Sequence, residues 1–148
     1  IKWPNDIYFG DRKICGMLIE NDLRGTTVEN CVMGVGININ QTAFQSDAPN
    51  PTSLALILGK ETERRFILER VMEYFTRYYE WTEQGRGAEL HEMYLQHLYR
   101  RHQNHEFIDK NGTFWGTITE VKPTGHLIIR DTTGKNRRYE FKEVQYII

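Results

Sequence analysis

The sequence has little that would staple, anchor or charge it. Two cysteines in 148 residues cannot form a disulfide framework. Cys15 and Cys31 sit in apolar strand patterns and are expected as small buried hydrophobes rather than a redox pair. So sparse a use of cysteine fits a reducing cytoplasm. No run approaches the roughly 18 apolar residues of a membrane span, and no secretory signal pattern is visible. Neither sign of charge prevails: 19 Lys and Arg face 20 Asp and Glu, for a net charge of -1. That removes the electrostatic case for duplex DNA or an anionic membrane. His97, His102 and His105 lack the Cys-x-x-Cys partner of a zinc site, and no Ser-His-Asp or Cys-His order supports nucleophilic catalysis. Internal repeats and low-complexity tracts are also missing.

What is present describes a globular α+β chain, with 39% hydrophobic and 26% charged residues. Strands are expected at Ile1 to Trp3, at Ile7 to Phe9, at Lys13 to Asn21 and at Thr26 to Asn40, with loops at Gly10-Asp11 and Asn21 to Gly25. Their short connections leave no room for helical crossovers, so the sheet is mostly antiparallel. Gln41 to Thr52 is a loop, broken by Pro49 and Pro51. Thr52 or Ser53 caps a short helix, Leu54 to Leu58, ended by Gly59. A long helix from about Thr62 to Gln84 carries Ile67, Val71, Tyr74, Tyr78 and Trp81 at helical spacing, widened by Phe66, Leu68 and Phe75; such a stripe is expected as core packing. A second helix runs from Ala88 to about Arg101, and both form a layer on the sheet. From Glu106 onward, five short strands separated by Gly-containing turns describe a small barrel. The division is residues 1–105 and then 106–148. The chain starts with Ile rather than Met and opens on an apparent strand, so it is expected to be the carboxy-terminal part of a longer protein.

The residues that could carry chemistry cluster early. Lys2-Trp3-Pro4-Asn5-Asp6 crowds a cation, an amide and a carboxylate around a proline that cannot serve a sheet interior. Lys13 follows on a neighbouring segment. Two ammonium groups converging on one pocket suit a substrate with carboxylate and phosphate groups. Asp6 could hold a magnesium ion, which takes one or two carboxylates plus phosphate oxygens. Gly16, Gly34 and Gly36 would let a ligand lie against bare backbone, and Asn38 offers donors and an acceptor suited to a purine edge. The same residues also fit ordinary turn chemistry with solvated lysines.

Three stretches in this order, Lys2-Trp3-Pro4-Asn5-Asp6, Arg12 to Glu20 and Gly34-Val35-Gly36-Ile37-Asn38, resemble biotin protein ligase. So do Pro51-Thr52-Ser53-Leu54 and the tail, which is similar to that family's SH3-like C-terminal barrel. The resemblance implies a class II synthetase-like fold with a mostly antiparallel sheet and a helical layer, followed by the small barrel. It implies biotin and ATP as substrates with Mg2+, biotinyl-5′-AMP as intermediate, and the biotin carboxyl carrier protein of a biotin-dependent carboxylase as acceptor. On the family pattern Lys13 holds the biotin carboxylate and acyl-phosphate oxygens, and Lys2 assists the ATP phosphates. Asn5 and Asp6 shape the phosphate and metal region, Gly16 and Leu18 line the biotin pocket, Gly34 and Gly36 allow close approach, and Asn38 reads adenine. The family's glycine- and arginine-rich loop precedes the Lys-Trp-Pro-Asn-Asp motif and is not in these residues, so the chain alone is expected to be nearly inactive. A homodimer through a sheet edge is a further expectation; a nucleic-acid partner and a membrane are not expected. The alternatives are a lipoate–protein ligase, which shares an Asn-Asp then Lys-Ile-x-Gly arrangement, and a non-catalytic module whose barrel binds a peptide or carrier domain.

Overall fold

The structure, a computed structural model, describes residues 1–25, 27–45 and 50–148. Thr26, expected to open the last of the early strands, and Pro49, expected to break the following loop, lie outside the described residues. The order of elements is β1 (Asp6–Phe9), β2 (Arg12–Arg24), β3 (Thr27–Ile37), α1 (Leu54–Leu58), α2 (Arg64–Glu83), α3 (Gly87–Gln96), then β4 (Asn104–Asp109), β5 (Gly112–Val121), β6 (Leu127–Asp131), β7 (Asn136–Tyr139) and β8 (Val144–Tyr146). Two antiparallel sheets result, one ordered β1-β2-β3 and the other β7-β6-β5-β4-β8. This is the α+β class expected. Among the described residues no helix is long and apolar enough to cross a membrane. The chain divides into two compact units, Pro4–Glu80 with Lys2, and Trp81–Ile148 with Ile1 and Trp3.

In the first unit, strands are made by pairing more than by local propensity. The Asn21 to Gly25 stretch, expected as a loop, instead continues β2 to Arg24, because Asn21 and Asp22 pair with Cys31 and Asn30. Ladder hydrogen bonds outweigh the turn preference of Asn and Asp. The reversal falls at Gly25, whose φ of +65° a side chain would resist. Residues 1–3 do not form a strand; Lys2 makes a single bridge to Asp6, and Pro4 prevents the ladder from extending. The α1 ends are as the sequence indicates: the Ser53 hydroxyl accepts from Leu56 N at 3.2 Å, and Gly59 closes the helix at φ 71°. Cys31, expected to be buried, is exposed, whereas Cys15 is buried. Helix α2 has no buried residue. Periodicity shows which face would bury but supplies nothing to bury it against; Ile67, Tyr78 and Trp81 are half-buried, while Phe66, Leu68, Val71, Tyr74 and Phe75 stay exposed. Its order comes from within, through Arg65–Glu69, Arg77–Glu73 and Arg70–Glu73 pairs and the stacked rings Tyr74–Tyr78 and Phe75–Tyr79.

The second unit contains the apolar core. Phe107, Ile118, Leu127 and Ile129 are fully buried, and Leu95, Leu98, Phe114 and Val144 surround them. Helix α3 stops at Gln96 rather than near Arg101, so Leu98 turns into this core; Arg100 and His102 then take left-handed backbone at φ 58° and 61°. Trp3 joins the same cluster, and its indole Nε1 donates to the Gly125 carbonyl at 2.9 Å. A side chain on Gly116 would meet Ile129 Cγ2 at 2.6 Å and the Arg130 carbonyl at 3.0 Å, which explains a glycine mid-strand. The sheet leaves β7 and β8 as edges, so the expected barrel is not closed by a hydrogen-bonded ladder.

A polar network crosses this sheet. Arg137 Nε donates to Asp131 at 2.9 Å, its Nη1 to Asp109 at 3.2 Å, and the guanidinium lies 4.1 Å from the Phe114 ring centroid. The Tyr139 hydroxyl donates to Asp109 at 2.7 Å; burial first, then this carboxylate, push its pKa up. Hydrogen bonds from Thr133 and Arg137 hold the Asp131 carboxyl down at about 2. In the unfolded chain it titrates near the ordinary carboxylate value, about 3.9. Its contribution is therefore complete above pH 4 and is lost as pH falls from about 4 to 2. Near-UV circular dichroism melts across that window should show a falling midpoint, and Asp131→Asn should flatten the decline while lowering the midpoint at neutral pH.

Candidate functional site

The early motif is organised by one extra residue. Across β1 and β2 the register runs Asp6↔Gly16, Ile7↔Cys15, then Tyr8↔Lys13, so Ile14 is a bulge. In a regular strand Lys13 and Cys15 would point to the same face, and Cys15 is buried. The bulge reverses Lys13 onto the face of Asp6, Tyr8 and Gly16. There its Nζ lies 2.7 Å from Asp6 Oδ1. Neighbouring backbone pins the position: Lys13 N donates to Asn50 O at 2.9 Å and Lys13 O accepts from Thr52 N at 2.8 Å. Pro51 sits between those partners, where a missing N–H costs nothing.

The remaining motif residues gather around that pair. Lys2 exchanges backbone hydrogen bonds with Asp6 at 2.8 and 3.1 Å, and its ammonium stands 5.3 Å from the Tyr8 ring centroid. Asn5 O accepts from Met17 N at 2.9 Å, while its side-chain amide donates to Met17 O, so this one residue serves both backbone groups of Met17 beyond the end of β1. Asp6, Gly16 and Gly36 are register partners across three strands, and Leu18 faces Gly34 two pairs further along. A Cβ on Gly16 would stand 3.1 Å from Lys13 Nζ and 3.4 Å from Asp6 Oδ1, so the ion pair occupies the space a side chain would take. Over Gly34 and Gly36 a Cβ would meet only atoms at 3.9 and 3.8 Å. The face is thus a bare-backbone floor with an ion pair at one end. That suits a flat ligand carrying an anionic group.

Asn38 is placed differently. Its amide Nδ2 donates to Thr52 O at 3.0 Å, its backbone N to Ile14 O at 2.9 Å, and its carbonyl accepts from Leu54 N at 3.1 Å. It ties the end of β3 to the loop that holds Lys13. Tyr8 is the site residue that sequence reasoning passed over; burial and then the Asp6 charge push its hydroxyl pKa up. The alternation Asp6-x-Tyr8 was the available signal. Among the described residues no group of three His, Cys, Asp or Glu could hold a metal ion.

The sequence model described as "Biotin/lipoate A/B protein ligase family" matches residues 1–38, the stretch that builds this face. A curated relative, the bifunctional ligase/repressor BirA of Bacillus subtilis, is 27% identical over 145 residues, covering 94% of this chain and 44% of its own length. The chain is similar to biotin protein ligases over most of its length. A biotin--[acetyl-CoA-carboxylase] ligase of Paracoccus denitrificans is 25% identical over 141 residues, or 91% of this chain and 58% of that protein. The apo structure of biotin protein ligase from Aquifex aeolicus superposes with a TM-score of 0.74 at 22% identity, over 98% of this chain and 63% of that one. That similarity shows a shared fold. The chain thus spans 44% of the Bacillus relative's length.

The pair at Lys13 and Asp6 has a reporter beside it. The Cys15 thiol pKa is pushed up by burial first and by the Asp6 charge second, while Lys13 pulls it down. In a Cys31→Ser background, the pH profile of Cys15 alkylation should therefore move to lower pH in Asp6→Asn and to higher pH in Lys13→Ala.

Proposed function

We propose that this chain is part of an enzyme that attaches biotin to a carrier-protein lysine at the expense of ATP. The observation that carries the reading is the Lys13 ammonium, fixed by a bulge and two backbone hydrogen bonds over the glycine floor, 2.7 Å from Asp6. A cation so held can bind the biotin carboxylate and stay in contact as that oxygen attacks the α-phosphorus of ATP and pyrophosphate leaves. In the second step the carrier lysine attacks the acyl carbon and AMP departs. Negative charge builds on the phosphoryl oxygens in both steps, so a preorganised ammonium stabilises the transition states more than the ground state.

In this reading Lys2 assists the ATP phosphates. Gly16, Leu18, Gly34 and Gly36 line the ligand floor, and Asn5 holds the strand that carries them. Asp6 parks Lys13 and supplies a carboxylate to a magnesium ion arriving on the nucleotide. Asn38, bound to the Lys13 loop through Nδ2, keeps its side-chain oxygen for an adenine amino group. Residues 1–105 act as the catalytic portion and 106–148 as the SH3-like domain, in a reducing cytoplasm with a carboxylase carrier domain as acceptor. Because the chain spans 44% of its Bacillus relative, the 148 residues alone are proposed to turn over little.

The matching family description covers lipoate as well as biotin ligases, so the test separates the two. In the full-length enzyme, Lys13→Ala should slow adenylate formation by about 100-fold or more with little change in melting temperature. Unchanged turnover would remove the assignment of Lys13. Calorimetric titration with biotinyl- and lipoyl-adenylate analogues should favour the biotinyl compound, and the reverse preference would redirect the substrate.

A further inference from the structure

The second sheet has a cavity of about 460 Å³ whose lining comes from both of its unpaired edges. Arg138 lies on β7, Gln145 on β8, Lys110 on the turn after β4, and Lys142 and Glu143 on the turn joining the two edges. The positive charge here is under-matched. Among the described residues Lys110 and Lys142 pair with no carboxylate; the Lys142 ammonium faces only the Phe141 ring, 5.2 Å from its centroid. Asp109, which also lines the cavity, is committed to Arg137, Tyr139 and Asn111 N. Glu143 is committed through one oxygen to Glu140 N at 2.7 Å. Lys142 also adopts a left-handed φ of 67°, a conformation that costs a non-glycine residue free energy and is retained where the surroundings impose it.

We propose that this seam binds an extended acidic segment of a partner protein, which adds a strand at the β7 edge and sets its carboxylates against Lys110, Arg138 and Lys142. Among the described residues each edge strand has a partner on one side only: β7 pairs with β6 and β8 with β4. An edge with free backbone groups is the usual template for an added strand. In such a strand alternate side chains point the same way about 7 Å apart, so Glu or Asp at every second position would present a row of carboxylates to the basic rim. The inference is independent of the ligation chemistry, since it uses none of the residues placed at the Lys13 site.

The test is amide NMR on the whole 148-residue chain, titrated with a peptide of about ten residues in which Glu alternates with Val. Its Gln counterpart and inorganic triphosphate are the comparisons. Shifts at the amides of Arg138, Lys142 and Gln145, weakened at least about tenfold in Lys110→Gln/Lys142→Gln and by added salt, would support the proposal. Both lysines are exposed, and the single Lys110→Gln, on a turn, reads the same effect should the double variant fail to fold. Absence of shifts at these amides, or equal binding of the Gln peptide, would overturn it. Triphosphate moving them while the Glu peptide does not would overturn the peptide and assign the seam to compact phosphate anions.

Discussion

The candidate site depends on the bulge at Ile14. Strand periodicity would put Lys13 on the buried side with Cys15, where an ammonium group would have no aqueous or anionic partner. One extra residue against β1 reverses its direction, and the Asn50 and Thr52 backbone groups keep it there. Other features follow. Gly16 must be bare because the ion pair fills the volume of its side chain, and Asp6 must sit opposite Gly16 for its carboxylate to reach Lys13. The Pro51-Thr52-Ser53 segment then serves twice: it holds Lys13 from behind and starts α1 through the Ser53 cap.

The two units are stabilised differently. Residues of the second unit bury Phe107, Ile118, Leu127 and Ile129 completely, and the Arg137 network satisfies the buried carboxylates of Asp109 and Asp131. In the first unit the fully buried positions are Thr52 and Ser53, while β2 and β3 expose Ile19, Leu23, Val28, Met33 and Val35. Cross-strand pairs Met17–Val35, Ile19–Met33 and Leu23–Val28 share one face, and the glycines Gly16, Gly34 and Gly36 belong to the other. The hairpin is therefore two-sided, apolar on one surface and, around Leu18, glycine-rich on the surface proposed for the ligand.

Much of this was legible in the order of residues. Turn chemistry at Gly10, the Ser53 and Gly59 caps, the α2 span and the strand succession after Glu106 follow from local rules that need no partner. The motif residues were also visible, because Lys2, Asn5, Asp6 and Lys13 are poor strand material placed among strands. Where the reading failed, the missing quantity was a partner. Asn21 and Asp22 look like a turn until Cys31 and Asn30 pair with them. The α2 stripe looks like core until none of its residues is found buried, and Cys31 looks buried until it is seen to be exposed.

Trp3 shows the same limit from another side. It was expected to end a strand over Ile1 to Trp3, yet its ring belongs to the core of the second unit and its indole N–H is bound by Gly125 O. By itself the sequence determined the class of each element and the chemical types available, because those rest on periodicity, caps and turn residues within a few positions. Tertiary structure decided which face each side chain serves. A strand has only two faces, and a single bulge, set by pairing with a distant strand, exchanges one for the other.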